Sequence, residues 1–183
     1  MSDASTRKIS PLMIAPPLIF AALAAMFYFG MQRDDPDALP SVLIGQPVPE
    51  FALTPLGAEP NFTADVLAEP GIKLVNYWAS WCAPCRVEHP NIQLLADEGI
   101  PVYGVNYKDD ADKALAFLDE LGNPYTAVGQ DVNGRTGIDW GLYGVPETFI
   151  IDGEGNVVLR FAGPITQRAL QNRIRPALEA AQP

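Results

Sequence analysis

The sequence predicts an α/β domain, with helices packed on a sheet, carried behind one transmembrane helix. Three observations predict it. An uncharged apolar run extends from Pro11 to Met31. Beyond residue 44, short runs rich in β-formers alternate with longer segments of helical spacing. The 183 residues are 48% hydrophobic and 19% charged, which suits one buried core and lacks the polarity of a disordered chain.

At about 1.5 Å per residue, the run over 11–31 can cross a hydrocarbon core of about 30 Å. Pro16 and Pro17 interrupt its backbone bonding only near the start. The small-x-small pattern Ala22-Leu23-Ala24 allows a rival reading as a cleaved signal peptide. Met26 to Phe29 carry the apolar stretch past that cut, so a retained anchor is the expectation. Arg7 and Lys8 precede the run, whereas Arg33 after it is followed by Asp34, Asp35 and Asp37; this bias places the N-terminus in the cytoplasm. The expected organisation is a cytoplasmic tail over 1–10, an anchor over 11–31, a tether over 32–44 containing Pro36 and Pro40, and a domain over 45–183.

Within the domain, Ile72 to Ala79 reads as a buried strand, Ala83 to Asp97 as a helix and Ile100 to Asn106 as a second strand. A helix from Asp110 to Leu121 follows, capped by Asp109 or Asp110 and stopped by Gly122. Glycines at 129, 134, 137, 141 and 144 break the next stretch into turns, with at most a short strand near Tyr125 to Val128. Thr148 to Ile151 and Val157 to Phe161, joined by Asp152-Gly153-Glu154-Gly155, read as a hairpin. A last helix from about Thr166 places Leu170, Ile174 and Leu178 on one face and must bend or shorten at Pro176.

The net charge is −10, and every acidic residue except Asp3 lies beyond the anchor, so a nucleic-acid partner is excluded for want of a basic patch. Two cysteines cannot form a disulfide-dense scaffold, and one histidine, His89, cannot complete the usual zinc sites. The chemistry therefore falls to Cys82 and Cys85, which sit where a buried strand hands over to a helix. Unpaired N–H groups at a helix start favour negative charge, and a thiolate is such a charge. Cys82 is the candidate attacker; Cys85, one turn later on the same face, is placed to resolve a mixed disulfide. Pro84 has a φ suited to the first helical turn. A purely structural disulfide would close too short a loop to add much stability. A copper or zinc site made of Cys82, Cys85 and His89 is admissible in ligand type, but His89 reads more simply as a solvated helix residue, and no metal is expected.

The segment Val75-Asn76-Tyr77-Trp78-Ala79-Ser80-Trp81-Cys82-Ala83-Pro84-Cys85 resembles the active-site strand and turn of thioredoxins. Pro90 matches that family's helix-kinking proline, and Gly144-Val145-Pro146-Glu147-Thr148-Phe149 resembles the stretch whose proline is cis and faces the cysteines. Within the superfamily the chain is most similar to the membrane-tethered thioredoxin-like proteins of cytochrome c maturation, the CcmG/DsbE type, with TlpA and ResA as relatives. Leu43 to Phe51 resembles their N-terminal extension, and the roughly 40 residues between the strand at 100–106 and Pro146 leave room for their central helix-strand insertion.

The resemblance implies a thioredoxin-like fold with both additions, and catalysis by Cys82 and Cys85. It implies substrate binding by Trp81, Val145 and Pro146, with the Val145-Pro146 bond cis. Asn76 stands where thioredoxins carry a buried carboxylate, and asparagine cannot ionise. Glu88, three residues after Cys85, is the candidate to take that role by tuning the thiols; its other reading is a solvated surface acid. Glu147 reads as a strand-edge position. The implied activity is that of a periplasmic thiol:disulfide oxidoreductase on the bacterial inner membrane, reducing a disulfide of apocytochrome c or its cysteine-binding chaperone. Electrons would come from a CcdA/DsbD-like membrane dithiol transporter, and no cofactor is required. An anchored thioredoxin serving other targets, such as oxidase copper-site assembly, and a metal-binding chaperone are the alternatives.

Overall fold

A computed structural model of the chain describes residues 11–31 and 41–182. The predicted tail over 1–10 and the part of the tether over 32–40 lie outside the described residues. The chain divides into two units, residues 1–38 and 39–183. In the first, helix α1 runs over Pro11–Met31 with Pro16 and Pro17 inside it. Large apolar side chains, among them Phe20, Phe27 and Phe29, are exposed along it. Its side chains are described over 14–30 only, and among the described residues no helix is long and apolar enough to cross a membrane.

The second unit is built on a six-stranded sheet of order β1-β4-β3-β2-β5-β6. Strands β2 (Lys73–Trp78), β3 (Val102–Tyr107) and β4 (Ala127–Asp131) are mutually parallel. Strand β5 (Glu147–Ile151) runs antiparallel to β2 and forms a hairpin with β6 (Val157–Ala162). All six residues of β2 are buried, as suits a central strand covered on both faces. Alternation along β2 sends Leu74, Asn76 and Trp78 to one face and Val75 and Tyr77 to the other. On the first face, Leu74 and Trp78 join Ile92 and Leu95 of α3 (Ala83–Asp97), Phe117 of α4 (Ala111–Leu121) and the C-terminal residues Leu170, Ile174 and Leu178. On the second, Val75 and Tyr77 pack with Phe62, Trp140 and Phe149.

Helix α3 spans the predicted residues, and α4 begins after Asp110, whose carboxylate accepts the Lys113 N–H at 3.1 Å and settles which aspartate is the cap. The strand predicted near 125–128 lies slightly later, at β4, so that α4 and β4 supply the helix and strand expected between β3 and Pro146, and α5 (Arg135–Asp139) follows. Two elements have no counterpart in the sequence reading: β1 (Thr54–Pro55), antiparallel to β4, and α2 (Ala64–Leu67). Both are shorter than any periodicity can reveal. The last helix is broken into α6 (Gln167–Ala169), a π turn over Leu170–Ile174 and α7 (Arg175–Ala180). The π turn lies just before Pro176, which cannot donate an N–H, and it keeps Leu170, Ile174 and Leu178 buried.

The segment 41–53 crosses the second face. Ile44 and Pro47 make bridges to Val157 and Asn156 at the start of β6, Val48, Phe51 and Leu53 pack on the second core, and the chain then enters β1 on the opposite margin.

Candidate active site

Cys82 is the N-cap of α3, in extended backbone geometry with φ −89° and ψ 102°. Its sulfur accepts the Cys85 N–H at 3.1 Å, a first-turn donor that the sulfur shares with the Cys82 carbonyl at 3.2 Å. The two cysteines form a disulfide across Cα atoms 5.3 Å apart. Both cysteines are buried in this disulfide, and Trp81, next to Cys82 in the chain, is 59% exposed. The Val145-Pro146 bond is cis, as the resemblance implied. Val145 packs against the core that holds both cysteines.

Glu88 is not a solvated surface acid: it is 1% exposed, on α3 three residues after Cys85. One carboxylate oxygen accepts the Asn76 side-chain amide at 2.8 Å and the other accepts the Ile165 N–H at 2.9 Å. Burial pushes its pKa up to about 7, against the pull of those two donors. Asn76 spends its second amide hydrogen on Thr148 Oγ1 at 3.0 Å and accepts from the Tyr125 hydroxyl at 2.8 Å. The Tyr125 ring fits because residue 104 is glycine; a Cβ there would lie 2.9 Å from it. Burial and the neighbouring Glu88 charge hold the Tyr125 hydroxyl well above its ordinary pKa.

One further sequence expectation is corrected. His89 is 4% exposed rather than solvated. Its Nε2 pairs with the Gly122 carbonyl at 2.9 Å where α4 stops, and its ring meets Phe117 edge-on. Burial lowers its pKa. Among the described residues no group of three or more His, Cys, Asp or Glu side chains could hold a metal ion. Glu147, read as a strand-edge position, does open β5 but has a further part. It is buried, paired with Arg160 of β6, and accepts the Tyr143 N–H at 3.1 Å. The Arg160 guanidinium lies over the Tyr143 ring, 4.3 Å from its centroid, so this pair closes the loop that carries Val145 and Pro146.

Asp109, Tyr125, Thr148 and Arg160 were not singled out as site residues from the sequence. In the sequence Asp109 reads only as one of two possible helix caps. Its neighbour caps α4, and the signal that remained was an unused carboxylate at the carboxyl end of a parallel strand, where open α/β sheets place their sites.

The Redoxin family model matches residues 43–174. The chain belongs to that family. It is 51% identical to the thiol:disulfide interchange protein HelX of Rhodobacter capsulatus, over 92% of this chain and 96% of that one. It is 44% identical to the thiol:disulfide interchange protein DsbE of Escherichia coli K12, over 92% and 94%. A crystal structure assigned as a DsbE from Chlorobium tepidum superposes with a TM-score of 0.61 at 28% identity, covering 74% of this chain and 94% of that one. This redoxin is thus of the CcmG/DsbE type and catalyses thiol:disulfide interchange.

Proposed function

We propose that this redoxin is a periplasmic reductant of cytochrome c maturation, held at the bacterial inner membrane by residues 11–31 with residues 1–10 in the cytoplasm. The observation that carries the proposal is the sulfur of Cys82 capping α3, with the Cys85 N–H directed at it, beside the cis Val145-Pro146 turn. In the reduced protein the Cys82 thiolate attacks one sulfur of a substrate disulfide, and the other leaves as a thiolate that takes a proton. Cys85 then loses its proton and attacks Cys82, releasing the second substrate thiol and re-forming the Cys82–Cys85 bond. Two electrons pass to the substrate. Glu88, one turn beyond Cys85 with a pKa near neutrality, is the group fitted to accept the Cys85 proton. Trp81 and Val145 present an exposed indole and a backbone edge to an extended peptide.

The substrate is a disulfide of apocytochrome c or of its cysteine-binding chaperone, and a CcdA/DsbD-like membrane dithiol restores the reduced pair. The dithiol is the whole redox group and needs no cofactor. The uncharged run of 11–31, together with Arg7 and Lys8 before it and three aspartates soon after, supports the anchor and its orientation. Tethering raises the effective concentration of the domain towards membrane-bound partners.

The test uses the reduced full-length protein and an oxidised apocytochrome c. Two thiols should appear per protein oxidised, Cys82→Ser should abolish the reaction, and Cys85→Ala should trap apocytochrome c or its chaperone as a mixed disulfide in cells. Exclusive capture of a copper-site assembly factor would replace this target. Undiminished reduction by Cys82→Ser would refute the mechanism.

A further inference from the structure

The turn that delivers Cys82 to the head of α3 is gripped from outside by a single carboxylate. Asp109, in the connection between β3 and α4, accepts four hydrogen bonds. Two come from Ser80, its N–H at 2.6 Å and its hydroxyl at 2.7 Å. The others come from the Asn106 side-chain amide and the Asp110 N–H, both at 2.9 Å. Ser80 lies two residues before Cys82, and the Cys82 N–H bonds back to the Ala79 carbonyl at 3.2 Å, so Asp109 holds the middle of that turn.

The grip is itself anchored. Asn106 is fully buried, and its amide oxygen accepts from Gln130 Nε2 at 3.0 Å, which fixes the amide orientation and directs its Nδ2 to Asp109. Gln130 stands opposite Asn106 on the neighbouring strand β4, and Trp78 stands opposite Asn106 on β2. The hydrogen-bonded chain thus runs from the insertion strand, across the end of β3, to the active-site turn. Lys108 adds a second hold: its φ of +47° is a left-handed conformation unfavourable for a side chain of its size, and its carbonyl accepts the Trp81 indole N–H at 3.2 Å.

A cap is not the explanation, because Asp110 caps α4. We propose that Asp109 is a positioning residue for disulfide exchange: by fixing Ser80 it keeps the Cys82 sulfur in line with the Cys85 N–H at the head of α3, and the Gln130–Asn106 pair couples that placement to β4. This rests on the redox role of Cys82 given above. The sign of the effect separates positioning from charge. A carboxylate acting only by its charge disfavours the thiolate, so removing it would make Cys82 more acidic. A carboxylate acting by position favours the thiolate, so removing it makes Cys82 less acidic.

The experiment follows alkylation of Cys82 against pH in full-length protein carrying Cys85→Ser, so that Cys82 is the one thiol present. Asp109→Ala should raise the apparent Cys82 pKa by roughly half a unit or more, about a threefold loss of thiolate at neutral pH. Asp109→Asn, which retains an acceptor for the Ser80 N–H, should recover most of that loss. Ser80→Ala, which removes one of the four bonds, should shift it in the same direction by less, and decides the matter should Asp109→Ala fail to fold. An unchanged or lowered pKa in Asp109→Ala or Ser80→Ala, or an equal shift in Asp109→Asn, overturns the proposal. Disulfide exchange by the unaltered protein is measured alongside: if it is absent, the redox reading fails; if it is present while the pKa values do not move, only the role of Asp109 fails.

Discussion

The Glu88 carboxylate is held 2.8 Å from the side-chain amide of Asn76, so the residue that stands where thioredoxins place an acid serves here as a donor to an acid from the neighbouring helix. Here the buried acid lies on the helix, and the strand residue cradles it. Asn76 reaches Glu88, Thr148 and Tyr125 at once, which ties β2, α3, β5 and the segment before β4 to one point.

The pKa of Glu88 gives stability a definite pH dependence. Between its ordinary value of 4.5 and about 7 the folded protein keeps a proton that the unfolded chain releases, so stability is full below pH 4.5 and falls as pH rises through 7. The span of the shift corresponds to ~3 kcal/mol. Denaturant melts of Glu88→Gln should show a flatter profile from pH 5 to 8 than the parent. Parallel profiles would mean that Glu88 ionises freely in the fold. The same variant should lose the neutral-pH inflection in the rate at which Cys85 resolves a mixed disulfide.

Tyr125→Phe removes the donor to Asn76 and leaves a buried amide oxygen unpaired, at a cost of roughly 1–3 kcal/mol. With Asn76 less firmly held, the Glu88 pKa should rise further, read as a displaced inflection in the stability profile. Gly104→Ala should reproduce both effects, since the new methyl would push the Tyr125 ring from its seat. Gly104→Ala behaving like the parent would show that the ring is not confined there.

Breaking the buried Glu147–Arg160 pair on one side leaves the other charge uncompensated. Arg160→Met alone should cost roughly 3–5 kcal/mol, and Glu147→Gln combined with Arg160→Met should cost less than Arg160→Met alone. Urea midpoints of the three proteins provide the comparison. The single variant should also raise KM for the oxidised apocytochrome more than it lowers kcat, because Glu147 and Arg160 hold the loop bearing Val145 and touch neither sulfur.

Local signals carried the strand-to-helix site. Cys82 and Pro84 at a helix start and Gly122 as a stop are each decided within a few residues of chain and stand where the sequence put them, and the cap of α4 is one of the two aspartates the sequence offered. What the sequence concealed is set by contacts between distant segments. Glu88 is buried because Ile165, 77 positions away, closes over it, and His89 because the end of α4 offers a carbonyl. Glu147 sits at a strand start whose exposure depends on whether a cation stands across the hairpin, which no periodicity encodes. The last helix kept its predicted apolar positions, but their spacing was met through a π turn, because packing of Leu170, Ile174 and Leu178 outweighed regular winding at Pro176.

The arm that opens the domain, joined to β6 through Ile44 and Pro47 and to β4 through Thr54 and Pro55, has a mechanical consequence. Tension entering from residue 41 meets bonds at one margin of the sheet before it reaches the other. Such a strap spreads a pull over the whole platform, so a domain pulled through residue 41 would resist being unzipped one strand at a time.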